Sequence, residues 1–102
     1  MLRSISSGEL ERRLNDAAVP FLLDVREPEE IADGLIVGSV NIPMDEVEQR
    51  LSELPTDRDI VVICHVGARS GYITNRLNAL GYTRAVNLSG GMAAWLTEKR
   101  QS

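Results

Sequence analysis

Val61-Val62-Ile63-Cys64-His65-Val66-Gly67-Ala68-Arg69-Ser70 is the stretch from which the fold can be read. Apolar residues of strand character run into the single cysteine of the chain. A turn containing a glycine and an arginine follows, and helical periodicity begins at once. A short, wholly apolar run of this kind fits a strand buried on both faces of a parallel sheet. The pattern then sets Cys64 at the carboxyl end of that strand, in the mouth of a helix amino terminus. Ligands gather at this end of open α/β sheets. The unpaired N–H groups and the positive pole of the helix stabilise an anion there, a thiolate included. Gly67 lets backbone N–H groups converge, and Arg69 is always charged. Loop amides, helix pole and arginine are therefore all expected to depress the thiol pKa. A lone free thiol is most often a buried structural residue; its position makes Cys64 a candidate nucleophile.

The same alternation of strand and helix extends outward. Ser6-Ser7-Gly8-Glu9 offers a capping box, followed by Leu10, Leu14 and Ala17 on one helical face. Phe21-Leu22-Leu23 reads as a second buried strand ending in Asp24-Val25-Arg26. Glu27-Pro28-Glu29-Glu30 reads as a helix start, its acids serving as caps near the positive pole, and Asp33-Gly34 ends that short helix. Gly38 to Ile42 suggests a further strand, stopped by Pro43. Met44, Val47, Leu51 and Leu54 recur at helical spacing. After the cysteine turn, Ile73, Leu77 and Leu80 mark an amphipathic helix with Gly81 as its C-cap. Ala85-Val86-Asn87-Leu88 is the last strand, and Gly90-Gly91, a point of close backbone approach, leads into a helix carrying Met92, Trp95 and Leu96. Met44 and Trp95 fit core faces. The polar tail Glu98 to Ser102 is expected to fray. The fold class is α/β, with a mainly parallel sheet, and residues 1–102 form a single domain.

Composition narrows the function classes. A chain of 102 residues can bury roughly two thirds of its unfolded surface and needs no disulfide or metal to fold. The net charge of −4, with no basic run longer than Lys99-Arg100, argues against nucleic-acid binding. One cysteine excludes an internal disulfide, and one histidine beside it cannot build a multi-ligand zinc site. No signal-like or membrane-spanning apolar run is present, so a cytoplasmic location is expected, which suits a reactive thiol. No G-x-G-x-x-G or P-loop follows any strand, which leaves nucleotide binding without support.

His65 invites a Cys–His dyad, but adjacent residues on a tight turn tend to point apart, and the expectation is that it lines the pocket. Asp24 and Arg26 end a strand whose carboxyl end lies beside the cysteine loop. They fit an ion pair holding neighbouring loops better than a substrate site.

The assembled order resembles the rhodanese family in its single-domain form. Leu23-Asp24-Val25-Arg26-Glu27-Pro28-Glu29-Glu30, Gly34-Leu35-Ile36-Val37-Gly38-Ser39-Val40-Asn41-Ile42-Pro43, the loop Cys64 to Ser70, and Leu88-Ser89-Gly90-Gly91-Met92-Ala93-Ala94-Trp95 carry the resemblance, in family order. It implies a rhodanese-like three-layer fold with helices on both faces of the sheet, and sulfur transfer through a persulfide on Cys64. By the same resemblance Arg69 is catalytic with Cys64, the loop residues His65, Val66, Gly67, Ala68 and Ser70 surround the sulfur, and Asp24 and Arg26 support it. No cofactor or metal is implied. The implied donor is a small anion such as thiosulfate and the acceptor cyanide, a thiol or a protein, with a monomer or weak dimer expected. Leu35 stands where the family commonly has histidine, so a buried hydrogen bond made by that histidine is expected to be missing.

Three rivals share the fold. Related tyrosine phosphatases separate cysteine and arginine by one residue more than the four found here, and the shorter turn favours sulfur over a tetrahedral phosphate. Non-catalytic rhodanese-like interaction modules typically lose the cysteine, which is present here. A protein-to-protein sulfur relay would keep the persulfide and differ only in its partners.

Overall fold

Ile60–Ile63 lies at the centre of the sheet and is buried at every position. The computed structural model describes residues 2–101. In chain order these form β1 (Ser4–Ile5), α1 (Ser7–Leu14), β2 (Phe21–Asp24), α2 (Pro28–Ile31), β3 (Val40–Asn41), two 3₁₀ segments (Met44–Gln49 and Leu51–Glu53), β4 (Ile60–Ile63), α3 (Ala68–Ala79), β5 (Ala85–Leu88) and α4 (Gly91–Gln101). All strand pairs are parallel, in the order β1-β5-β4-β2-β3.

Alternation along β4 divides the core. Ile60 and Val62 pack with Ile73 and Leu77 of α3, with Val47 of the first 3₁₀ segment and with Leu54 just after the second. Val61 and Ile63 face the other way, against Leu10 of α1 and Met92 and Trp95 of α4. Each such side chain, fully buried, contributes about 1.5–3 kcal/mol of transfer free energy. The result is a three-layer α/β arrangement, with the parallel sheet expected from the alternating pattern and the helices on both faces that the resemblance implies.

Several details differ from the sequence reading. β1 was not anticipated: two residues at a sheet edge, of which only Ile5 is buried, are too short for a period to register. α1 begins as expected, with Ser6 Oγ accepting from the Glu9 N–H at 3.1 Å, but it ends at Leu14 and leaves Ala17 exposed beyond it. The segment after Pro43 is 3₁₀ rather than α. The three-residue steps Met44 to Val47 and Leu51 to Leu54 line one face of a 3₁₀ turn just as well. The tail expected to fray continues α4 through Gln101, and Lys99 reaches Glu11 of α1 at 2.7 Å; Ser102 lies outside the described residues. Among the described residues no helix is long and apolar enough to cross a membrane.

Candidate active site

From β2 the chain moves outward to β3, whereas from β4 it moves to β5 on the opposite side, so strand order reverses between β2 and β4. Crevices at such reversals, beyond the carboxyl ends of the strands, are where open α/β sheets bind ligands. Asp24, the last residue of β2, pairs with Ile63, the residue before Cys64. A shallow pocket lined by Pro55, Arg58, Tyr82 and Arg84 lies beside Ile60, at the other end of β4 and away from the sulfur.

Gly67 turns the loop into α3. Its φ of 105° lies in the left-handed region that a residue with a Cβ rarely adopts. The loop curls back on itself there, and the Gly67 N–H donates to Cys64 Sγ at 3.1 Å. One helical turn onward, Ser70 Oγ stands 3.2 Å from the same sulfur. Burial pushes the Cys64 thiol up, but the Ser70 hydroxyl and the backbone amides of Ser70, Gly67 and Val66 outweigh it, and the net shift is downward. The expected depression is present; hydroxyl and amides lead it, and Arg69 is coupled to the sulfur through charge. Cys64 is 1% exposed, whereas His65, Val66 and Ala68 are exposed around it, and the His65 side chain makes no hydrogen bond to the sulfur.

A second tie comes from α4. The Met92 and Ala93 N–H groups, unpaired inside a helix first turn, donate to the Cys64 and His65 carbonyl oxygens at 2.9 Å each. Gly91 permits this approach: with φ of 58°, a Cβ there would lie 2.5 Å from the Cys64 carbonyl oxygen and 2.6 Å from that of His65. Gly91→Ala is therefore expected to cost about 2–3 kcal/mol through backbone strain and collision. It should also change the alkylation rate of Cys64. An unaltered denaturation midpoint would show that the loop yields without resistance.

Arg69 does not reach toward the sulfur as an unpaired cation. Its guanidinium grips Glu30 of α2 in a two-pronged pair, Nη1 to Oε2 and Nη2 to Oε1, both 2.8 Å. Glu30 also accepts from the Glu27 N–H at 2.8 Å, so the residue read as a cap is both a cap and a partner of the active loop. Hydrogen bonds from Arg69 and the Glu27 amide hold the Glu30 carboxyl at about 2, below its usual 4.5. The contribution of this pair is full above pH 4.5 and is lost as pH falls toward 2. Because both side chains are about one-third exposed, solvent screening limits it to about 1 kcal/mol. Glu30→Gln should flatten the acid limb of the stability–pH curve over that window; an unchanged limb would show the pair to be thermodynamically silent.

Asp24 and Arg26 form a buried ion pair at 2.8 Å. The Asp24 carboxylate also accepts the Arg26 backbone N–H at 3.0 Å, while the guanidinium donates to the Glu30 and Gly34 carbonyls at 3.1 and 2.8 Å. The pair braces α2, which carries Glu30, and the turn after it to Gly34. Leu35, at the position of the family histidine, is 46% exposed, so this chain has a surface leucine where a buried hydrogen bond was anticipated to be missing.

Two residues overlooked in the sequence complete the site: Glu30, and Asn87 of β5, which accepts a hydrogen bond from the Ser70 hydroxyl. A polar residue inside the otherwise apolar run Ala85-Val86-Asn87-Leu88 was the available signal. Among the described residues no group of three or more His, Cys, Asp or Glu side chains is placed to hold a metal ion.

Comparison with known proteins identifies the family. The rhodanese-like domain family matches residues 6–98. The chain belongs to the rhodanese family. This rhodanese-like domain is 43% identical over 95 residues to a sulfurtransferase of Allochromatium vinosum, covering 93% of this chain and 89% of that protein. It is 35% identical over 92 residues to the human thiosulfate:glutathione sulfurtransferase, covering 76% of this chain and 80% of that one. Among solved structures, a rhodanese-related protein from Thermoplasma volcanium superposes with a TM-score of 0.86 at 36% identity, over 94% of this chain and 92% of that chain. These relatives support rhodanese-type sulfur transfer as the activity class of the domain.

Proposed function

We propose that the protein is a sulfurtransferase in which Cys64 carries sulfane sulfur as a persulfide. The observation that carries this reading is the convergence of the Gly67 amide and the Ser70 hydroxyl on one buried sulfur, with the thiol pKa lowered. Such donors stabilise a thiolate before reaction and the charge that develops during it. In the first step the Cys64 thiolate attacks the outer sulfur of thiosulfate. The new S–S bond forms as the bond to the sulfonate sulfur breaks, and sulfite departs with the electron pair. In the second step an acceptor thiolate attacks the outer sulfur of the persulfide, the bond to Sγ breaks, and the Cys64 thiolate returns as the acceptor leaves as its own persulfide. The name of the human relative, with thiosulfate as donor and glutathione as acceptor, supports that pairing.

A specific observation favours a second reading for the donor. Arg69 is already neutralised by Glu30, with Glu27 also acting on it, so the cation available to a small dianion is partly cancelled. A protein or low-molecular-weight persulfide needs less positive charge, which fits a sulfur relay. The test is intact mass after incubation with excess thiosulfate, or with glutathione persulfide, without reductant. A gain of one sulfur atom, removed by cyanide, is expected. Gain from the persulfide alone would select the relay, and no gain from either donor would overturn sulfur transfer.

A further inference from the structure

Ser70 faces a shortage of protons. Its Oγ lies within hydrogen-bond reach of both Cys64 Sγ and Asn87 Oδ1, yet a hydroxyl has one hydrogen to donate. All three residues are buried, and Ser70 is fully enclosed. When Cys64 is a thiol, the chain closes in one direction: S–H donates to Ser70 Oγ, and Ser70 donates to Asn87 Oδ1. When Cys64 is a thiolate, the Ser70 proton must turn to the sulfur. Asn87 Oδ1 would then face the lone pairs of Oγ, acceptor against acceptor.

Rotating the Asn87 amide by half a turn removes that conflict, because Nδ2 then donates to Oγ. The Nδ2 group makes no hydrogen bond to any described residue, so the rotation breaks none. Gly67 and Gly71 border the amide without crowding it: a Cβ on either would stand 3.7 or 3.8 Å from Nδ2, which is ordinary van der Waals contact.

We propose that Asn87 is a positioning residue that acts through Ser70, its amide accepting from the hydroxyl when Cys64 is protonated and donating to it when Cys64 is ionised. On ionisation the thiol proton passes to solvent water; the Gly67 amide stays on the sulfur in both states. The inference rests on the proposed use of Cys64 as a thiolate nucleophile. The charged or titratable groups around the sulfur are His65 in the loop, the Arg69–Glu30 pair with Glu27, and the Asp24–Arg26 pair at the end of β2. They are common to every variant compared below.

The test is the pH dependence of Cys64 alkylation by iodoacetamide, read by intact mass with no sulfur donor present. The single cysteine makes the mass gain report this site alone. Asn87→Asp, in its ionised form, supplies only acceptors, so it holds the Ser70 proton away from sulfur. Alkylation at neutral pH is expected to fall about tenfold or more, one pH unit of thiol titration. In a Ser70→Ala background the same substitution should cost at least about threefold less than it does in the wild type, because only its charge remains to act. Equal losses in the two backgrounds would overturn the relay. Should Asn87→Asp not fold, NMR of the wild-type side-chain amides gives the same decision. The Asn87 Nδ2 proton signals should shift as Cys64 titrates, and signals that stay in place would overturn the proposal. Absence of sulfur loading from donors counts against sulfur transfer alone, since alkylation reads ionisation without any donor.

Discussion

Serine in place of Cys64 is expected to abolish persulfide formation and to lower turnover on the order of 10⁴-fold or more, the scale seen when a nucleophile is removed. A serine hydroxyl fits the same space and accepts the same hydrogen bonds from Gly67 and Ser70. What it lacks is ionisation near neutral pH and the capacity to form a stable sulfur–sulfur bond. The fold should persist. Cys64 contributes one small apolar contact to the cluster around Val62 and Ile73, and its loss is worth about 1 kcal/mol. Sulfite release from thiosulfate in the presence of a thiol, beside near-ultraviolet circular dichroism, separates the two quantities. Retained turnover in a folded Cys64→Ser protein would remove the cysteine from the mechanism.

Asp24→Asn is expected to act in the opposite manner, with a large loss of stability and little change in rate per folded molecule. Arg26 is 3% exposed and has no solvent to fall back on. Its Nε and Nη2 both donate to the Asp24 carboxylate, at 3.0 and 2.8 Å. An asparagine leaves one carbonyl acceptor and an uncompensated buried cation, for which about 3–5 kcal/mol is the ordinary cost. The loss should spread to the Glu30–Gly34 segment, because the same guanidinium holds the carbonyls of those two residues. Denaturant midpoints and kcat measured on the folded fraction test this. A rate defect with an unchanged midpoint would mean that Asp24 acts on the reaction rather than on the scaffold.

The core of the fold was legible because its strands are short, apolar and bounded by turns. Ala85–Leu88 has the bounds its residues predict, the apolar run from Val61 to Ile63 lies within β4, and Pro28 marks the start of α2 as its ring geometry dictates. Elements held by partners rather than by their own pattern were not. β1 exists because Ser4 and Ile5 find β5, and the 3₁₀ form after Pro43 reflects how Val47 and Leu54 meet the sheet. The site divides along the same line. Cys64, Gly67 and Ser70 could be found because a local turn brings them together. The grip of Glu30 on Arg69 spans 39 residues, and that of Asn87 on Ser70 spans 17. Nothing local in an acidic helix start or a strand asparagine states which distant group it will meet.

The hydrogen bonds from Met92 and Ala93 to the loop carbonyls make the last helix a foundation of the reactive turn as well as a cover for the sheet. Single elements open locally at free energies below that of global unfolding. Here its opening would free the Cys64 and His65 carbonyls and loosen the curl that holds the sulfur among its donors. Thiol reactivity and the integrity of the C-terminal segment thus share one local unfolding equilibrium, so whatever tethers or strains that segment also sets how long the sulfur stays poised.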